Sequence, residues 1–115
     1  MYRTLEVEIR EVAFSKVALE NLEELYAYGV ETYSYELATG FLNELFAEIM
    51  RLSSSCLHHP ECRYLKTVSK KYRNLRFKNY LVIYRIASTR IEILTVMHSS
   101  RSVAKMKLAR QLKLP

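Results

Sequence analysis

Apolar and polar residues alternate near the start of the chain, with Leu5, Val7 and Ile9 on one side of an extended backbone and Glu6, Glu8 and Arg10 on the other. That period of two predicts a strand over residues 5–11, buried on one face. The period then lengthens. Ala18, Leu22, Leu25 and Tyr26 recur at helical spacing behind Ser15, whose hydroxyl suits a helix N-cap, and Gly29 predicts a left-handed stop. A second helix is expected from Thr32 or Ser34. Its stripe is Ala38, Phe41, Leu42, Leu45, Ile49 and Leu52, and Glu36 in the first turn suits the helix dipole. Gly40 inside this helix costs about 1 kcal/mol relative to alanine, which predicts close packing there. The few residues between the two helices imply an antiparallel hairpin. Ser53, Ser54 and Ser55 then end the second helix, and residues 53–71, with Pro60, read as a long connection.

Three apolar runs follow, over residues 72–78, 80–86 and 91–97, separated by a turn at Asn79 and another over residues 87–90. Connections this short require antiparallel pairing. The middle run, from Tyr80 to Ile86, is apolar on both faces and belongs at the centre of a sheet. Residues 102–112 return to helical spacing through Val103, Met106, Ala109 and Leu112. The chain therefore reads as one α+β domain over residues 1–115: an N-terminal strand, a helical hairpin, a three-stranded antiparallel meander and a C-terminal helix, with residues 101–115 forming the basic tail. The helices cover one face of the sheet, and the other is expected to be partly open and basic.

Charge divides the chain sharply. Through Cys62 there are eleven Glu against four basic residues, a formal −7, whereas from Arg63 onward fourteen Lys and Arg face the single acid Glu92, a formal +13. A basic half of this density attracts a polyanion or an acidic protein. No stretch approaches the roughly 18 apolar residues of a membrane span, and the alternating N-terminus is unlike a secretion signal. Two Cys supply no disulfide framework, so a cytoplasmic location is expected.

Three strings in this order, Leu75-Arg76-Phe77, then Tyr80 to Ile86, then Ile91 to Arg101 ending in His98-x-x-Arg101, resemble the RelE/ParE superfamily of bacterial toxins over about residues 3–102. The resemblance implies a growth-inhibiting toxin of a type II toxin–antitoxin system, neutralised by a cognate antitoxin protein and using no cofactor. The long hairpin and the His-x-x-Arg ending are nearer to ParE-like members, which poison DNA gyrase. The alternative is a RelE-like toxin that cuts messenger RNA on the ribosome without a metal. Against it, the chain has no tyrosine after Tyr84, where RelE proper carries one.

Candidate residues follow from both readings. Lys66, Lys70, Lys71, Arg73, Arg76 and Lys78 form a run able to neutralise phosphates, or else a solvated polar face. Tyr72, Tyr80 and Tyr84 are candidate stacking faces for bases. In a ribonuclease, Arg76 would grip the scissile phosphate, His98 would transfer protons and Arg101 would assist; otherwise Arg76 pairs with Glu92 or an antitoxin, and His98 locks a strand end. Cys56, His58, His59 and Cys62 include four metal-ligand types, but adjacent His residues rarely converge, so a plain loop is expected and no metal site. Tyr26, Tyr28, Tyr33 and Tyr35 gather at the hairpin tip, where a partner would bury them.

Overall fold

The computed structural model describes residues 9–100 and 103–114. The chain runs β1 (Glu11–Phe14), α1 (Lys16–Thr32), α2 (Tyr35–Ser55), β2 (Tyr72–Phe77), β3 (Tyr80–Ile86), β4 (Arg90–His98) and α3 (Val103–Leu108), with single 3-10 turns at Cys56–His58 and Ala109–Gln111. The sheet order is β1-β4-β3-β2. The meander β2-β3-β4 is antiparallel, and β1 joins β4 in parallel, setting Val12 beside Ile91 and Phe14 beside Ile93. The expected α+β architecture, with β3 inside the sheet, is what forms.

Its details explain several departures from the sequence reading. Among the described residues the first strand is Glu11–Phe14, which meets the expected strand over residues 5–11 only at Glu11. Ile9, counted as core-facing, is exposed, and Val12 and Phe14 face the hairpin instead, so the working alternation is one residue out of phase with that of Leu5, Val7 and Ile9. Residues 5–8 of the expected strand lie outside the described residues. Ser15 does cap α1: its Oγ accepts from Ala18 N at 2.9 Å and donates to Leu94 O at 2.6 Å, so one buried hydroxyl starts the helix and fixes it to β4. Ser34 caps α2 by accepting from Leu37 N. Gly29 does not end α1 in a left-handed turn; the helix continues to Thr32, and a Cβ built on Gly29 would lie 3.1 Å from the Cβ of Ala38. The hairpin's close approach is thus at Gly29, while Gly40 faces open space. The three serines do end α2, whose last residue is Ser55 with its hydroxyl donating back to Arg51 O, so the connection begins at Cys56 rather than at Ser53.

One core lies between hairpin and sheet, where Leu22, Leu45, Ile49 and Leu52 pack on Val82, Tyr84, Ile91 and Ile93. A second forms on the opposite face, which is covered rather than partly open. There Cys62 and Leu65 of the connection and Met106 and Ala109 of the tail pack on Tyr72, Ile83, Leu94 and Met97. The tail's anchors are Met106 and Ala109, with Leu112 half-buried behind them; Val103 stays exposed. No helix among the described residues is long and apolar enough to cross a membrane.

Candidate functional site

The hairpin projects past the end of the sheet and leaves an open groove of about 1150 Å³ against the β2–β3 turn and the end of β4. Leu25, Tyr28, Tyr33, Leu37 and Phe41 line it from the helices, and Lys78, Tyr80, Val96 and His98 from the sheet. Tyr28, Tyr33 and Leu37 are 54%, 68% and 65% exposed, a large apolar surface for one helical tip. The tip is held in shape by the Gly29–Ala38 contact and by a 3.1 Å hydrogen bond between the hydroxyls of Tyr26 and Thr39. Of the four tip tyrosines expected to meet a partner, Tyr28, Tyr33 and Tyr35 stand exposed, and Tyr26 is half-buried by this bond.

Aromatic rings form the floor. Phe41 meets Phe77 and Tyr80 edge-on, with centroids 5.4 and 5.7 Å apart, and Tyr80 meets His98 at 5.4 Å. Lys78 occupies a left-handed turn position (φ 52°), and its ammonium lies 5.4 Å from both the Phe41 and Phe77 rings and 3.4 Å from Glu44. The Lys78 side chain stays more than half exposed in the groove wall, and its surface pair with Glu44 leaves it open to a partner. His98 Nδ1 accepts from Ser100 N at 3.2 Å and lies 2.7 Å from Ser100 Oγ. An imidazole accepting a backbone N–H at Nδ1 carries its proton on Nε2 in the neutral state. His98 thus ends β4 with its ring fixed between Tyr80 and Ser100.

Arg76 is elsewhere. Paired residues of a sheet share a face, and the register sets Arg76 opposite Leu81 and Leu81 opposite Met97, while Phe77 pairs with Tyr80 and Tyr80 with His98. Arg76 and His98 therefore point to opposite faces. Arg101, the third residue of the candidate nuclease set, lies outside the described residues.

The rest of the basic run divides in the same way. Lys66, Lys70 and Lys71 are exposed on the connection over the second face; Lys70 is in the left-handed region (φ 55°), and the Lys71 ammonium lies 5.6 Å from the Tyr72 ring. Arg73 is not a surface cation awaiting a ligand. It donates to Lys70 O, Leu57 O and His59 O at 2.8, 3.2 and 2.9 Å, stapling the connection to β2. Tyr84 cannot stack on a base either: its ring is wholly buried, and its hydroxyl donates to Cys56 O at 2.6 Å. Burial first, then the neighbouring Cys56, pushes that phenol well above its ordinary value. Tyr72 is buried too. Cys56 and Cys62 are free thiols in the core, and no three His, Cys, Asp or Glu side chains converge among the described residues.

Two features escaped sequence reading. Asn21 Oδ1 accepts from Val96 N at 3.0 Å and Thr95 Oγ1 at 2.9 Å, closing the β4 edge where β1 has ended. Nothing in a lone helical Asn signals this. The other is Glu92, expected as a partner for Arg76. It accepts instead from Arg85 at 2.6 Å and from Arg90 at 2.9 and 2.7 Å. Its isolation in a basic half was the available signal, because a lone acid among cations is well placed to become a buried counter-ion.

A family model described as "ParE toxin of type II toxin-antitoxin system, parDE" matches residues 12–103. Among solved structures, the chromosomal ParDE toxin–antitoxin system from P. aeruginosa is similar, with TM-score 0.67 and 15% identity over 79% of this chain and 97% of that one. The RelBE2 toxin–antitoxin complex from Mycobacterium tuberculosis is also similar, with TM-score 0.57 and 21% identity over 81% of this chain and 94% of its counterpart. No curated protein matches.

Proposed function

The chain belongs to the ParE toxin family of type II toxin–antitoxin systems, and from that premise we propose that it arrests growth by binding DNA gyrase, without chemistry of its own. The observation that carries this reading is the division of the candidate nuclease residues. Arg76 and His98 point to opposite faces of the sheet, which speaks against a shared grip on one phosphate. What the same end of the molecule offers is a groove walled by exposed aromatic and aliphatic side chains, the composition of a protein-binding hot spot.

Neutralisation follows from the same geometry. An amphipathic helix of the cognate antitoxin, laid along the groove, buries Tyr28, Tyr33 and Leu37 and so covers the surface offered to the target. Acidic residues on that antitoxin meet the basic half of the chain. Action on gyrase places the protein in the cytoplasm.

The test is supercoiling by purified gyrase in the presence of the wild-type chain, an Arg76→Ala/His98→Ala variant and a Tyr33→Ser/Leu37→Ser variant. Inhibition by the first variant is expected to stay close to wild type. The groove variant is expected to lose about tenfold or more, since two exposed anchors carry at least 1.4 kcal/mol together. Equal inhibition by all three, or no inhibition by any, contradicts the proposal.

A further inference from the structure

The layer over the second face of the sheet has a surface made largely of cations. We propose that it binds duplex DNA through the phosphates, without regard to sequence and separately from the groove. Two segments build the layer. The connection contributes Arg63, Lys66, Lys70 and Lys71, and the tail contributes Lys107, Arg110 and Lys113; all seven are exposed. Residues 63–71 and 103–114 contain no acid. Arg76 adds a further exposed cation from the same face of β2.

Two acids lie near these cations: Glu61, half-buried and accepting from Thr67 N at 3.2 Å, and Glu92. Glu92 is buried and already shared between Arg85 and Arg90. The support is also rigid. Cys62, Leu65, Met106 and Ala109 are buried beneath the layer, and Arg85 Nη2 donates to Leu112 O at 3.0 Å, so the cations sit on anchored backbone. Anchoring lowers the ordering cost of binding.

Side-chain type selects the partner. Five of the eight cations are Lys, a residue depleted from the cores of protein interfaces and suited, as a hydrated point charge, to a phosphate backbone. Single strands are bound by stacking bases on exposed rings, and this layer offers none: Tyr72 is buried beneath Lys71 and Arg85, and half-buried Tyr64 lies under Arg63. Cations without stacking faces fit a duplex, whose bases are already stacked.

The experiment measures binding of the purified chain to two short DNA duplexes of unrelated sequence as salt is raised from about 50 to 200 mM. It compares wild type with a Lys66→Gln/Lys107→Gln/Arg110→Gln/Lys113→Gln variant and with a Lys16→Gln/Arg51→Gln control on the hairpin side. All the substituted side chains are exposed, so the thermal midpoint serves as the folding check. Both duplexes should bind alike, with a log–log salt slope near −0.9 per phosphate contacted, and the fourfold variant's slope should be shallower by about three to four. The control should keep the wild-type slope. No binding at low salt, an unchanged slope in the fourfold variant, tighter binding of single strands, or displacement by polyglutamate as effective as by duplex overturns the proposal. Gyrase is absent from the assay, so its outcome is separate from the reading of the toxin's target.

Discussion

Replacing Glu92 with Gln removes the only negative charge among three interlocked side chains. The carboxylate is 9% exposed, Arg85 15% and Arg90 29%, and the two guanidinium groups reach it at 2.6 and 2.7 Å. Burial pushes the Glu92 carboxyl up, but the hydrogen bonds and charges of Arg85 and Arg90 outweigh it and hold the group below its ordinary value. Glu92→Gln keeps the shape and one acceptor while stranding the largely buried Arg85. Losing one partner of a buried pair costs about 3–5 kcal/mol; Arg85 keeps its bond to Leu112 O and some solvent, so about 2–4 kcal/mol is expected. For a chain of this size that is a fall of roughly 8–16 °C in the unfolding midpoint near neutral pH.

The pH dependence has a definite sign. Because the folded-state carboxyl titrates below its unfolded value, the stabilisation is complete above the ordinary carboxylate range. It is lost as pH falls from about 4.3 through the folded value, since the unfolded chain takes up the proton first. Thermal unfolding of both proteins from neutral pH downward should show a constant gap that narrows only in acid. A gap under about 1 kcal/mol at neutral pH, or one that is constant into acid, would mean that Glu92 is not the buried counter-ion of Arg85 and Arg90.

Other expectations test the positioning of the groove and its neighbours. Tyr84→Phe leaves Cys56 O without its 2.6 Å donor and should cost about 1–3 kcal/mol by urea denaturation. Gly29→Leu and Gly40→Ala should have opposite signs in the same assay. The first drives a side chain into Ala38 and destabilises by about 1–3 kcal/mol, whereas the second fills open space in an exposed helical position and stabilises by up to about 1 kcal/mol. Asn21→Leu strands Val96 N and Thr95 Oγ1, and should speed hydrogen exchange at Val96 more than at Val82 inside the sheet.

Periodicity carried most of the fold because burial has a simple geometric signature. The stripe of α2 and the apolar runs of the meander each pack where their spacing demands, and both N-caps were readable from Ser15 and Ser34. The end and phase of the first strand were missed because its partner, β4, is remote in sequence, and a parallel register with Arg90 to Ile93 leaves no local signal. The two glycines show the same limit. Both lie within helices, and only the three-dimensional crossing of α1 and α2 makes Gly29 the tight one. The candidate site was legible as a composition, basic with aromatics, but not as an arrangement. Alternation along β2 separated Arg76 from Phe77, yet the row joining Phe77, Tyr80 and His98 exists only once the register is known. Arg73 and Tyr84, which read as binding residues in a string of similar neighbours, belong to the scaffold because each donates to backbone carbonyls of the connection.

Gyrase as the target is tested in the cell by pulse-labelling of new DNA and new protein in the minutes after this chain is induced alone in bacteria. A gyrase-directed toxin stops DNA synthesis first while translation continues, and an Arg76→Ala/His98→Ala variant does the same. Translation collapsing first, with that variant harmless, would contradict the account and return Arg76 and His98 to a catalytic role.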